Sequence, residues 1–76
     1  MAKYNGHKNW NHWNVSLWLN NDEGLYRMMQ WAVNANRGKR GGKDAAAYSL
    51  LGLLPDHTPD GAPYSVSSIR AAMREI

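Results

Sequence analysis

Every apolar stretch in this chain repeats at a helical spacing, and each is cut short by Asn, Gly or Pro before it grows long. Apolar residues three and four apart share one side of a helix. Helices this short are marginal in water when alone, so they must pool a core to exist at all. The expected fold is all-α: a compact bundle of three to four short helices forming a single domain over residues 1–76. At 76 residues, such a chain buries only roughly 60% of the surface that its unfolded form exposes. Each large apolar side chain therefore carries weight.

The first segment spans about Trp10 to Leu19, with Asn9 placed to cap its free backbone N–H groups. Trp10, Trp13 and Leu17 fall on one side; Val15, Trp18 and Leu19 fall on another. A helix apolar on two sides is either sandwiched in a core or presents one side to a partner. Asn20-Asn21-Asp22 breaks it, and Asn21 or Asp22 can cap the next segment, Glu23 to Asn36. There Leu25, Met28, Met29, Ala32 and Val33 make the clearest stripe of the chain, opposite Arg27, Gln30 and Asn34, with Tyr26 and Trp31 flanking it. A third segment, Ala45 to Leu54, is expected to be capped by Asp44 and stopped by Pro55. The stretch from Asp56 to Pro63 is dense in turn residues and reads as an ordered loop, although Asp60-Gly61 also suits a tight hairpin. A fourth helix begins near Ser65 or Ser67 and runs to Ile76, with Val66, Ile69, Met73 and Ile76 on one side.

Several chemistries are excluded at once. With no Cys there is no disulfide, no thiolate nucleophile and no Cys-based zinc site. No apolar run approaches the roughly 20 residues needed to cross a bilayer, so no membrane partner is expected. The opening residues Met1-Ala2-Lys3-Tyr4-Asn5-Gly6 carry no apolar signal core, which sets the expected location in the cytoplasm. His7 and His12 are five apart and do not share a helical face, while His57 sits in a distant loop, so no metal site or cofactor is expected. His12 and Ser16 stand four apart, but no orienting acid or oxyanion hole accompanies them, and they read as a surface pair. The chain is not expected to be an enzyme.

The sharpest feature is the segment from Arg37 to Lys43. It holds Arg37, Lys39, Arg40 and Lys43 among Gly38, Gly41 and Gly42, in a stretch between Glu23 and Asp44 that has no acidic residue. Such a loop can grip phosphates or an acidic protein surface, or can be a solvated connector. It is not a phosphate-binding P-loop: Arg37 stands where that motif needs its first Gly, and Asp44 stands where it needs Ser or Thr. Trp10, Trp13 and Trp18 are expected mainly in the core. Trp31 lies beside Arg27 and reads equally as a contact residue, a common hot-spot pairing, or as a cap on the bundle. Asn14 sits between the two apolar sides of its helix; if buried, it needs partners and fixes local register.

The run from Tyr4 to Tyr26 resembles small uncharacterised proteins of phages, prophages and plasmids, whose signature reads approximately N-Y-E-T-W-N-V-x-L-W-[IL]-x-N-D-x-G-L-Y. Asn9, Trp13, Asn14, Val15, Leu17, Trp18, Asn21, Asp22, Gly24, Leu25 and Tyr26 match it, whereas Trp10 replaces Tyr and Asn11-His12 replaces Glu-Thr. Thr58-Pro59-Asp60-Gly61 is similar to a later turn in that group. The resemblance implies an accessory protein of a mobile element, and many such proteins antagonise host defence, anti-CRISPR proteins among them. It supplies no catalytic residue.

Together these readings set a leading expectation: a stoichiometric inhibitor of a bacterial defence complex. Arg27, Trp31, Arg37, Lys39, Arg40 and Lys43 would dock on a host protein or ribonucleoprotein. A formal charge of +3 does not suit a nucleic-acid mimic, which would be strongly acidic. The alternative is direct nucleic-acid binding by a helix-turn-helix-like pair around Asn20-Asn21-Asp22. That reading is weakened because Arg27 is the only basic residue of the second helix before its end.

Overall fold

The computed structural model describes residues 7–74. It contains four helices, α1 (Trp10–Asn21), α2 (Glu23–Ala35), α3 (Gly42–Leu51) and α4 (Val66–Ala72). Each helix packs on two others: α1 on α2 and α4, and α3 on α2 and α4. The four therefore close a ring in which α1 faces α3, and α2 faces α4, across the core. Val15, Leu19, Met29, Ala32, Leu50, Ile69 and Met73 fill the interior. The radius of gyration, 11.6 Å, is close to the roughly 11 Å of a globular chain this long.

The local reasons follow the sequence with some shifts. Asn9 caps α1 as expected, its Oδ1 accepting from the His12 N–H at 3.0 Å. The break after α1 is narrower than expected, because the helix continues through Asn21 and leaves Asp22 as the sole joint. The Asp22 N–H closes α1 by donating to the Trp18 carbonyl (3.0 Å), while its Oδ1 caps α2 by accepting from the Leu25 N–H (3.0 Å). The α2 stripe lands as read: Met29, Ala32 and Val33 are buried, and Leu25 and Met28 pack against them.

Two boundaries move. α3 starts at Gly42, not Ala45, because Gly41 takes a left-handed conformation (φ 89°) that turns the chain into the helix three residues earlier. Asp44 is therefore in the first turn rather than at the cap, and its carboxylate accepts from Arg70 Nε of α4 at 3.0 Å. The same helix ends at Leu51, ahead of Pro55, in turns at Leu53 and Leu54. α4 begins behind a reciprocal Ser65–Ser68 capping box and ends at Ala72; the expected end at Ile76 lies outside the described residues.

The tryptophans depart most from expectation. Asn14, Val15 and Leu19 form the buried line of α1, so Trp10 (38% exposed) and Leu17 (37%) face outward, and Trp13 and Trp18 are only half-buried. Asn14 explains this choice of face. Its Nδ2 donates to Asp60 Oδ2 (2.9 Å) and its Oδ1 accepts from the Thr58 hydroxyl (2.6 Å). Trp18 Nε1 donates to the same Asp60 oxygen at 2.9 Å. Thr58 Oγ1 in turn accepts from the Ala62 N–H, and the Thr58 N–H donates to the Ala62 carbonyl. The segment between α3 and α4 is thus an ordered loop, closed by one antiparallel bridge between His57 and Pro63 and clamped onto α1.

Candidate functional site

The outer face of α2 follows from helical spacing. Trp31 comes two residues after Met29, about 200° around the helix, so burying Met29 turns the indole outward. Trp31 is 59% exposed, and Arg27, Gln30 and Asn34 are exposed around it. Arg37 extends this face into the loop by donating from Nη2 to Asn34 Oδ1 at 3.0 Å.

The loop itself is shaped by Gly38 (φ 78°) and Gly41, both in a region that disfavours side chains. Arg37, Lys39 and Arg40 are exposed; Lys43 is half-buried in the first turn of α3 rather than in the loop. Among the described residues, none of these four pairs with a carboxylate. Asp44, the nearest acid in sequence, is turned away to Arg70. Arg27 differs: it pairs with Glu23 one turn back, which offsets its charge. Such an exposed pair contributes only about 0.3–0.5 kcal/mol. Of the six sequence candidates, Arg37, Lys39, Arg40 and Lys43 thus lie along the α2–α3 connection, with no acid partner among the described residues, and Trp31 stands on the outer face of α2. A hollow of about 340 Å³ between Val33, Asn36, Arg37 and Lys43 opens at the same edge.

The histidines take unforeseen partners. His12 does not pair with Ser16. Its Nε2 lies 2.9 Å from Ser67 Oγ across the α1–α4 seam, while Ser16 Oγ accepts from Asn20 Nδ2. Burial, with lesser contributions from Lys8, His7 and Arg74, holds the His12 pKa below its usual value of 6.5. The charged neighbours that act on it are cationic, so nothing here orients it as the base of a catalytic triad. Arg74 Nη2 donates to His7 Nδ1 at 3.1 Å, which makes that nitrogen an acceptor. Among the described residues, no three of His, Cys, Asp and Glu gather closely enough to hold a metal ion.

Sequence reasoning missed a second concavity. A groove of about 330 Å³ lies between α1 and α4, lined by Trp13, Leu17 and Ala71 together with His7, Asn21 and Arg74. Its signal was present in the two-sided apolarity of α1, whose Trp10–Trp13–Leu17 side remains turned outward.

The profile of a family of unknown function, DUF7249, matches residues 1–76. The chain belongs to that family. No curated protein and no solved structure matches it. In this DUF7249 chain the residues singled out by the sequence motif act mainly as architecture. Asn9 and Asp22 cap helices, Val15 is buried, Asn14 and Trp18 hold Asp60, and Leu25 and Tyr26 pack on the core.

Proposed function

We propose that this chain is a stoichiometric protein-binding module: an accessory protein of a phage or other mobile element that inhibits a bacterial defence complex, in the manner of anti-CRISPR proteins, by covering a binding site. The observation that carries the reading is exposed Trp31 on the outer face of α2, with Arg37 reaching back to Asn34 on that face and exposed Lys39 and Arg40 following it in the loop, cations that no described carboxylate occupies. An indole beside guanidinium groups is the composition of interface hot spots. Cations free of internal partners suit an acidic protein surface or phosphates already held by a ribonucleoprotein. The mobile-element context comes from the sequence resemblance alone, and the bacterial cytoplasm is the compartment it implies.

Truncating Trp31 offers a clean test because the side chain lies outside the core. Trp31→Ala leaves the thermal midpoint nearly unchanged, since exposed substitutions usually stay within about 0.5 kcal/mol. In a defended host, the wild-type protein restores plaque formation and recovers a defence complex in pull-down; Trp31→Ala and the triple variant Arg37→Gln, Lys39→Gln, Arg40→Gln do neither. Unaltered plaque formation with the wild-type protein overturns the proposal.

Direct nucleic-acid binding is the other use of the loop. It has less support from α2, where the single cation is held by Glu23 and only Gln30 and Asn34 remain as polar readers on that face. Binding to duplex DNA that weakens steeply with salt, and vanishes in the triple variant, would favour it over the inhibitor reading.

A further inference from the structure

The geometry points to a second docking site: the α1–α4 groove receives an acidic segment of a partner protein that carries one large apolar anchor. This site does not depend on the basic edge. In the ring, the α1–α4 seam lies opposite the α2–α3 seam, so both can be occupied at once.

Three observations converge. The first is shape. About 330 Å³ is at the bottom of the roughly 300–1,000 Å³ range of small-molecule pockets. Because it is open to solvent rather than enclosed, the groove suits an anchor side chain of a longer segment better than a buried cofactor. The second is surface. On the α1 side, Leu17 (37% exposed) and half-buried Trp13 line the groove, and Trp10 (38% exposed) follows on the same side of the helix, although a helix in a small domain gains by burying such residues. Aromatic residues and Arg are the types enriched where partners bind.

The third is charge. No acidic residue lines the groove among the described residues. Arg74 contributes a guanidinium with one N–H committed to His7 and no carboxylate partner among the described residues, so its other N–H groups suit an incoming carboxylate. Because His7 Nδ1 accepts from Arg74, the neutral ring carries its proton on Nε2 and offers a further donor. A partner with carboxylates flanking an apolar side chain satisfies this set, whereas a basic segment meets repulsion.

The experiment is a ¹⁵N NMR titration of the full chain with three blocked pentapeptides: Glu-Glu-Leu-Glu-Glu, its Lys-flanked counterpart and a version with Ser in place of Leu. The expected result is a set of shifts confined to His7, Trp13, Leu17, Asn21, Ala71 and Arg74, produced by the first peptide only. Arg74→Gln weakens that binding by about tenfold, the scale of one charge-assisted hydrogen bond. Leu17→Glu weakens it as well, and both positions are exposed enough to leave the fold intact, as the unperturbed remainder of the spectrum will show. The triple loop variant retains it, which separates this site from the basic edge. Shifts centred on residues 37–43, equal response to the Lys peptide, or no shift at millimolar peptide overturns the inference.

Discussion

Asn14 and Thr58 are the residues on which the fold's specificity turns. Both are buried, and each satisfies the other's polar group. Thr58→Val keeps the volume but leaves Asn14 Oδ1 and the Ala62 N–H without their partner. A loss of about 1–3 kcal/mol in urea unfolding is expected, the cost of stranding a buried polar group. Asp60, exposed at the edge of this cluster, behaves differently. The hydrogen bonds from Asn14 and then Trp18 hold its carboxyl below the usual 3.8. Folding therefore favours the anion: its contribution is complete above that value and is lost as pH falls through the depressed pKa. Asp60→Asn should flatten this acid limb of a stability–pH profile. His7 and His12, whose pKa values are lowered from 6.5, shape a separate limb in which stability drops as pH falls below 6.5. An acid limb unchanged in Asp60→Asn would refute the assignment.

At the scale of elements, what was legible depended on how many faces a helix had to choose between. α2 has one apolar stripe, and its buried residues follow from spacing; Trp31, at the edge of that stripe and divided between contact and core by spacing alone, is exposed in the structure. α1 has two, and nothing local decides between them. Asn14 decides, through partners 44 and 46 positions away, which periodicity cannot see. For the same reason Trp18 is drawn toward Asp60 rather than into the interior, and Trp10 remains outside. The start of α3 is set by backbone freedom at Gly41 and not by a side-chain cap at Asp44, and a left-handed glycine leaves no mark in apolar spacing. The cap of α2, by contrast, was narrowed by sequence to Asn21 or Asp22, and the structure gives Asp22 both ends of a joint. Asp22→Ala is expected to lower stability by about 1 kcal/mol, the usual cost of a lost cap; Asp22→Asn should recover most of it. Equal thermal midpoints for the wild type and Asp22→Ala would remove the cap from the account.

For the whole molecule, size governs. A chain of 76 residues has a total stability of roughly 4–11 kcal/mol at 0.05–0.15 kcal/mol per residue. Leu19 is fully buried on the inner line of α1, and truncating such a residue to Ala costs about 2–5 kcal/mol. Leu19→Ala should therefore remove a large share of that stability, read as a clearly lower midpoint in urea unfolding followed by circular dichroism, and an unchanged midpoint would show that the interior repacks. The exposure of the basic loop, in contrast, is legible in its charge and glycine content, because such a segment has no apolar side chain to bury. The clamp of the α3–α4 loop onto α1 has a kinetic counterpart. Local opening follows the bonds that must break, not the regularity of the backbone. The amide protons of Thr58 and Ala62, in a segment with almost no helix or sheet, should exchange with deuterated solvent as slowly as those in the middle of α1, while the glycine-rich turn after α2 exchanges orders of magnitude faster.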